Sequence, residues 1–280
     1  MARELWRSVK NCDRIVHGEK SRKQEVFYRM RANLFGVGID ALGMEETVAH
    51  VAGLVSTNRP AWVMTLNPEY LYRARFDHRL LDLARRADLV TADGEGIVWA
   101  CRVAGCPVPE RVTGIDLMLG LLERASAAGW SVYFFGAGPG VAAAAAEKAH
   151  REYPGLRIAG SRHGYFQEDE ERGIAREIRD SAPDLLFVAL GAPKQEIWID
   201  RYLEKTGAGV AIGVGGSFDV LAGKVARAPR WIRRMRLEWL ARLLRQPSRW
   251  RRQMILPLFV WAVIKEYKLK KTRQDSQGNN

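Results

Sequence analysis

The chain has 280 residues, 47% hydrophobic and 27% charged, ample for one large α/β core with an appendage. Its net charge of +12 is uneven: residues 224–273 carry 16 Lys/Arg against two Asp/Glu, residues 1–33 nine against four, and residues 34–223 carry 19 against 25. The two basic ends therefore suit a polyanionic partner, nucleic acid or an anionic membrane leaflet, whereas the odd set Cys12, Cys101 and Cys106 speaks against a disulfide framework or a zinc site and for a reducing cytosolic setting.

Residues 1–33 are polar, basic and weakly periodic, and are expected to be a flexible extension outside the fold, with no apolar run to act as a secretory signal. The core is expected over 34–223. It starts with a strand at Leu34–Ile39, a helix at Met44–Ser56 and a buried strand at Ala61–Leu66 that runs into Asn67-Pro68-Glu69, a helix-capping loop. A helix at His78–Ala87 leads to a strand at Asp88–Ala92 ending in Asp93-Gly94, then a helix through Trp99. Pro107 and Pro109 mark a loop before a helix at Asp116–Ala128 closed by Gly129. Strands at Ser131–Phe135, Leu156–Ala159, Leu185–Leu190 and Gly209–Val214 then alternate with an alanine-rich helix to about Tyr153, a charged helix at Glu168–Asp180 and a helix from Lys194. This alternation predicts an α/β fold: a Rossmann-like, mostly parallel sheet with helices on both faces. A basic helical appendage over 224–271 and a polar tail over 272–280 follow.

Ligands of open parallel sheets bind beyond the carboxyl ends of the strands. Those positions hold Thr65 and Asn67, Asp93 and Gly94, Gly136–Gly140, Gly191–Gln195 and Gly213–Asp219, five polar or glycine-rich loops that converge on one site. Gly136 and Gly138, before a helix, form either a phosphate cradle or a tight turn, without the full dinucleotide fingerprint. Pro193 suits a helix start, and Lys194-Gln195-Glu196 presents three polar residues in the first turn. Asp93, after an apolar strand, is either a general base or a helix cap, and Asp219, beyond Gly215 and Gly216, faces the same two readings. Tyr165 either stacks on a nucleobase or packs internally. No two aspartates are spaced D-x-D, so a nucleoside diphosphate would be met by backbone amides, helix dipoles and Arg/Lys, with no obligatory metal cofactor.

After Pro229, Trp231, Leu237, Leu240, Leu243 and Leu244 recur at helical spacing among arginines, and Trp250, Leu256, Phe259 and Trp261 continue the apolar set. The pattern describes either an interfacial helix on anionic lipid or a helical pair packed on the core with a solvated basic face. The apolar run Met254–Ile264 contains Pro257 and falls short of the roughly 20 residues of a spanning helix, so membrane contact would be peripheral. Nucleic acid, the rival partner, lacks a recognisable platform here. Self-association into a homo-oligomer is compatible with the sequence.

Taken together, TLNPE (65–69), TADGEGIVWA (91–100), PERVTGIDLM (109–118), HGYF (163–166), LGAPKQEIWI (190–199), GVGGSFDVLAGKVARAP (213–229) and LEWLARLLRQPSRWRR (237–252) resemble the WecG/TagA/CpsF family of bacterial glycosyltransferases, from about Leu34 to Lys268. The resemblance implies inverting transfer of N-acetylmannosamine from a UDP-sugar donor to an undecaprenyl-diphosphate-linked GlcNAc acceptor. The setting would be the cytoplasmic side, peripheral on the inner face of the cell membrane with its anionic lipids. It makes Asp93 the base, places Thr65, Asn67 and Gln195 in the donor pocket, and has Arg242, Arg249 and Arg252 hold the acceptor diphosphate. It assigns no role to residues before Leu34 and leaves open another UDP-hexose used in exopolysaccharide synthesis. A binding protein without turnover is the alternative from another class.

Overall fold

The structure is a computed structural model that describes residues 12–17, 27–57, 59–229, 231–232, 235, 250 and 254–269. Its centre is a six-stranded, all-parallel sheet built from β4 (Ala61–Leu66), β5 (Leu89–Ala92), β6 (Ser131–Gly136), β7 (Arg157–Arg162), β8 (Leu185–Ala189) and β9 (Val210–Gly213), in the order β5-β4-β9-β8-β6-β7. The inner strands are apolar without alternation because both faces are covered. Trp62, Met64, Leu66, Phe135 and Val188 point into one core, and Val63, Phe134, Phe187 and Ile212 into the other. Against the first core pack α2 (Pro68–Ala74), α3 (His78–Arg86), α4 (Glu95–Val103), α7 (Glu171–Ser181), α8 (Lys194–Thr206) and α10 (Ile255–Val263). Against the second pack α1 (Met44–Val55), α5 (Gly114–Ala128), α6 (Val141–Glu152) and α9 (Ser217–Leu221).

Helix ends follow local chemistry. The Asn67 carboxamide accepts from the Tyr70 N–H at 2.9 Å to start α2, and Gly129, at φ 71°, ends α5 in the left-handed conformation that a side chain would strain. The strands are pinned at their amino ends by two aspartates. Asp88 Oδ2 accepts from the Trp62 N–H at 2.9 Å, joining β5 to β4, and Asp184 Oδ2 accepts from the Ser131 N–H at 2.7 Å, joining β8 to β6.

Three expectations are corrected. The fold does not begin at Leu34: β1 (Cys12–His17), β2 (Phe27–Leu34) and β3 (Val37–Asp40) form a second, antiparallel sheet in which β2 is central. The expected strand Leu34–Ile39 is the end of β2, a two-residue turn and β3. Phe35 (φ 52°) and Gly36 (φ 85°) both adopt positive φ, as a tight hairpin demands. And Cys12 is joined to Cys106 in a disulfide, leaving Cys101 free and buried. The pairing escaped the sequence because it links the first strand of the small sheet to the loop after α4, 94 residues away.

Asp40 docks the small sheet. It is 2% exposed, accepts from the Val90 N–H at 2.8 Å on the edge strand β5, and pairs with Arg31 Nε at 2.7 Å, while Arg31 Nη2 also donates to the Asp88 carbonyl at 2.9 Å. The hairpin turn reaches the other end of the chain. The Phe35 N–H donates to the Tyr267 hydroxyl at 2.7 Å, and the Phe35 ring lies 6.4 Å from Phe259 of α10. Among the described residues no helix is long and apolar enough to cross a membrane.

Replacing Asp40 orphans a buried N–H and strips a largely buried guanidinium of its carboxylate, leaving it the Asp88 carbonyl. Asp40→Ala is expected to lower stability by about 3 kcal/mol, seen as a lower urea midpoint at unchanged slope.

Candidate active site

A cavity of about 540 Å³ opens at the carboxyl ends of β5, β4, β9 and β8. Chain order reverses here: β4 leads to β5 on one side, while the later strands lie on the other, the switch point at which such sheets bind ligands. Thr65 and Asn67 enter from β4, Asp93 and Gly94 from β5, Gln195 from the first turn of α8, and Val214–Ser217 from the end of β9.

Missing side chains make this convergence feasible. A Cβ at Gly96 would lie 2.8 Å from Pro68 Cγ, so α4 and α2 can start side by side and bring Asp93 and Asn67 to one wall. A Cβ at Gly213 would stand 2.7 Å from Gln195 Nε2; the Gln195 carboxamide occupies that space.

Asp93 is half-buried, and its Oδ2 accepts from the Gly114 N–H at the start of α5, a long 3.4 Å contact. A negative charge is stabilised at that end of a helix. The cap of α4 is Gly94, so the alternative reading of Asp93 as the helix cap is not what the structure contains. Opposite, the Thr65 hydroxyl donates to the Gly213 carbonyl at 2.8 Å, and Gln195 Oε1 accepts from the Gly215 N–H at 3.0 Å. Gln195 Nε2 donates to Glu196 Oε1 at 2.9 Å. Beside the cavity Asp116 accepts from Arg227 Nη2 at 2.6 and 2.7 Å. Burial alone would raise the Asp116 carboxyl, but the hydrogen bonds from Arg227 and Thr113 outweigh it and hold it below the usual carboxylate range.

Of the residues singled out from the sequence, the cavity gathers Thr65, Asn67, Asp93, Gln195, Gly215 and Gly216. Gly136, Gly138, Tyr165, Lys194 and Asp219 do not line it. Gly136 answers to packing, since its Cβ would fall 2.5 Å from the Ala189 carbonyl carbon. Tyr165 is 72% exposed, while its neighbour Phe166 stacks on Phe135. Asp219 lies inside α9, whose cap is Gly216, so it is not a cap either. Arg242, Arg249 and Arg252 lie outside the described residues.

The cavity also contains groups that the sequence reading left without a role. Arg73 pairs with Glu69 at 3.0 Å and Arg111 with Glu95 at 3.9 Å, all four on the lining. The Glu69–Arg73 spacing on α2 was a readable signal, since residues four apart share a helix face. Leu256, Phe259 and Val260 of α10 close one side. Phe259 is fully buried, whereas Met254, Leu258 and Trp261 are 59%, 48% and 61% exposed. The helix thus packs on the core and still presents an apolar outer face; Leu237, Leu240, Leu243 and Leu244 of the expected tail pattern lie outside the described residues. Among the described residues no three His, Cys, Asp or Glu side chains cluster as a metal site.

Comparison with known proteins places this geometry. Residues 32–274 match the model of the Glycosyl transferase WecG/TagA/CpsF family. An N-acetylglucosaminyldiphosphoundecaprenol N-acetyl-beta-D-mannosaminyltransferase of Bacillus spizizenii (strain W23) is 41% identical over 224 residues, 79% of this chain and 86% of the relative. Enzymes of the same name from Bacillus subtilis (strain 168) and Staphylococcus aureus (strain MW2) are 37% and 32% identical, over 76% and 87% of this chain and 82% and 96% of theirs. The match runs through both the parallel sheet and the α10 wall of its cavity, and the chain belongs to the WecG/TagA/CpsF family of glycosyltransferases.

Proposed function

We propose that this enzyme transfers N-acetylmannosamine from UDP-ManNAc to undecaprenyl-diphosphate-GlcNAc, the linkage-unit step of teichoic acid or a related cell-surface polysaccharide, with inversion at the sugar. The observation that carries the reading is Asp93 on the wall of a cavity whose other side is formed by Thr65 and Gln195, in a chain 41% identical to an enzyme of that name. In this mechanism Asp93 takes the proton from the acceptor hydroxyl as its oxygen attacks the anomeric carbon. The bond from that carbon to the UDP oxygen breaks, and the electron pair leaves with UDP, through oxocarbenium-like charge. Thr65, Asn67 and Gln195 hold the donor, with Gly215 and Gly216 letting the chain come close to it.

Charge decides where the lipid diphosphate is held. The described lining has three carboxylates, Glu69, Asp93 and Glu95, against two guanidiniums, Arg73 and Arg111. That balance cannot by itself neutralise two diphosphates, one on each substrate. Arg242, Arg249 and Arg252 supply the missing cations, delivered from the chain segment that precedes α10. The outer face of α10, together with Trp231 at 62% exposure, rests on anionic lipid at the inner face of the membrane.

Asp93→Asn is expected to lower transfer about a thousandfold while calorimetry still finds UDP bound; transfer at the parent rate would remove Asp93 as base. A chelator is expected to leave the rate unchanged, because no two aspartates of the lining are spaced D-x-D and Glu95, two residues from Asp93, is paired with Arg111; strict loss of transfer would contradict this. Trp231→Ser with Trp261→Ser is expected to release the enzyme from anionic vesicles in a flotation assay without lowering its melting temperature, since both indoles are exposed.

A further inference from the structure

Glu196 is 2% exposed, and among the described residues no cation pairs with it. Its Oε1 accepts from Gln195 Nε2 at 2.9 Å, while Oε2 is buried without a partner. Burial pushes its carboxyl up to about 7, against the opposing pull of the Gln195 side chain and of its own backbone. An apolar side chain would fill this place, in the first turn of α8, without that desolvation.

What the carboxyl supplies is direction. The two ends of a carboxamide have nearly the same shape, so its neighbours decide which end points where. The Gly215 N–H, at 3.0 Å, requires an acceptor and takes Gln195 Oε1. Glu196 Oε1 requires a donor and takes Nε2. The absent Cβ of Gly213 leaves Nε2 its room. Reversing the amide would set its NH2 against the Gly215 N–H and its carbonyl oxygen against the Glu196 carboxyl, losing both bonds. Protonation at Oε2 leaves Oε1 an acceptor, so the arrangement holds in either charge state.

We propose that Glu196 is a positioning residue for the nucleotide-sugar donor: through Gln195 Nε2 it fixes the carboxamide against Gly215 and sets the polar face that the donor meets. The proposal rests on the reading of Gln195 as a donor contact.

Steady-state kinetics with UDP-ManNAc and a lipid-diphosphate-GlcNAc analogue test it. Glu196→Leu is expected to raise the donor KM about tenfold and leave the acceptor KM unchanged, and Glu196→Gln, which keeps an acceptor oxygen, to stay within about twofold of the parent. In a Gln195→Ala background Glu196→Leu is expected to add no further loss. A parent donor KM in Glu196→Leu, equal damage from Gln and Leu, or losses that multiply in the double variant would each overturn the proposal. Glu196→Met replaces Leu in every arm if the leucine variant melts before assay temperature. Absence of turnover by the parent enzyme on any UDP-sugar would sink the functional reading alone. Hydrogen exchange at the Gln195 side-chain amide, assigned by its disappearance in Gln195→Ala, then decides: slow in the parent and Glu196→Gln and fast in Glu196→Leu supports positioning, and equal rates in all three refute it.

Discussion

The hydroxyl of Thr65 donates to the Gly213 carbonyl at 2.8 Å, just where the parallel ladder between β4 and β9 runs out. Past this point those two strands are no longer paired; the Asp93 N–H still donates to the Leu66 carbonyl and the Val214 N–H to the Val188 carbonyl, both at 2.9 Å, while other backbone groups turn to side chains. Gln195 answers for Gly215 on one side, and Asp93 reaches the first N–H of α5 on the other. The cavity lies where the ladder between β4 and β9 has ended and the side chains of Thr65 and Gln195 take its place. It stays open because Gly96 and Gly213 let neighbouring segments approach without filling it.

That handover explains what could be read from the residues alone. Buried parallel strands are long apolar runs, and Ala61–Leu66 was legible to the residue because it is bounded by Pro60 and the Asn67 cap. That Thr65, Asn67, Asp93 and Gln195 would line one cavity was legible because they follow the strand ends, where parallel sheets bind ligands. Gly136 and Gly138 satisfied the same rule, yet β6 lies three places from β4 in the sheet, and strand order is invisible in a single sequence. The same is true of Arg111 and of the α10 wall, which reach the cavity only through tertiary packing. β2 was missed for a different reason: its buried residues Ala32 and Leu34 alternate with Arg31 and Asn33, a pattern easily taken for a polar extension.

The two ends of the chain, alike in being basic, are also joined in space. Phe35 in the β2–β3 turn touches Phe259 and hydrogen-bonds Tyr267, so the small sheet supports the helix that walls the cavity. Asp40 holds that sheet to β5, whose end carries Asp93. Asp93 and the apolar wall of α10 are therefore fixed to the same edge of the large sheet.

Asp88 and Asp184 sit at the opposite end of the sheet, each receiving an N–H from the start of a neighbouring strand, Trp62 of β4 and Ser131 of β6. Because a strand slipped by one residue would exchange the side chains of the two cores, register is costly to disturb, and here two side chains help to hold it at the end away from the cavity. The loops around the cavity lie a full strand length from both aspartates. Substitutions in the loops at the upper rim can therefore leave both aspartate pins at the lower rim untouched. The cavity and these two pins are lodged at opposite ends of the same sheet.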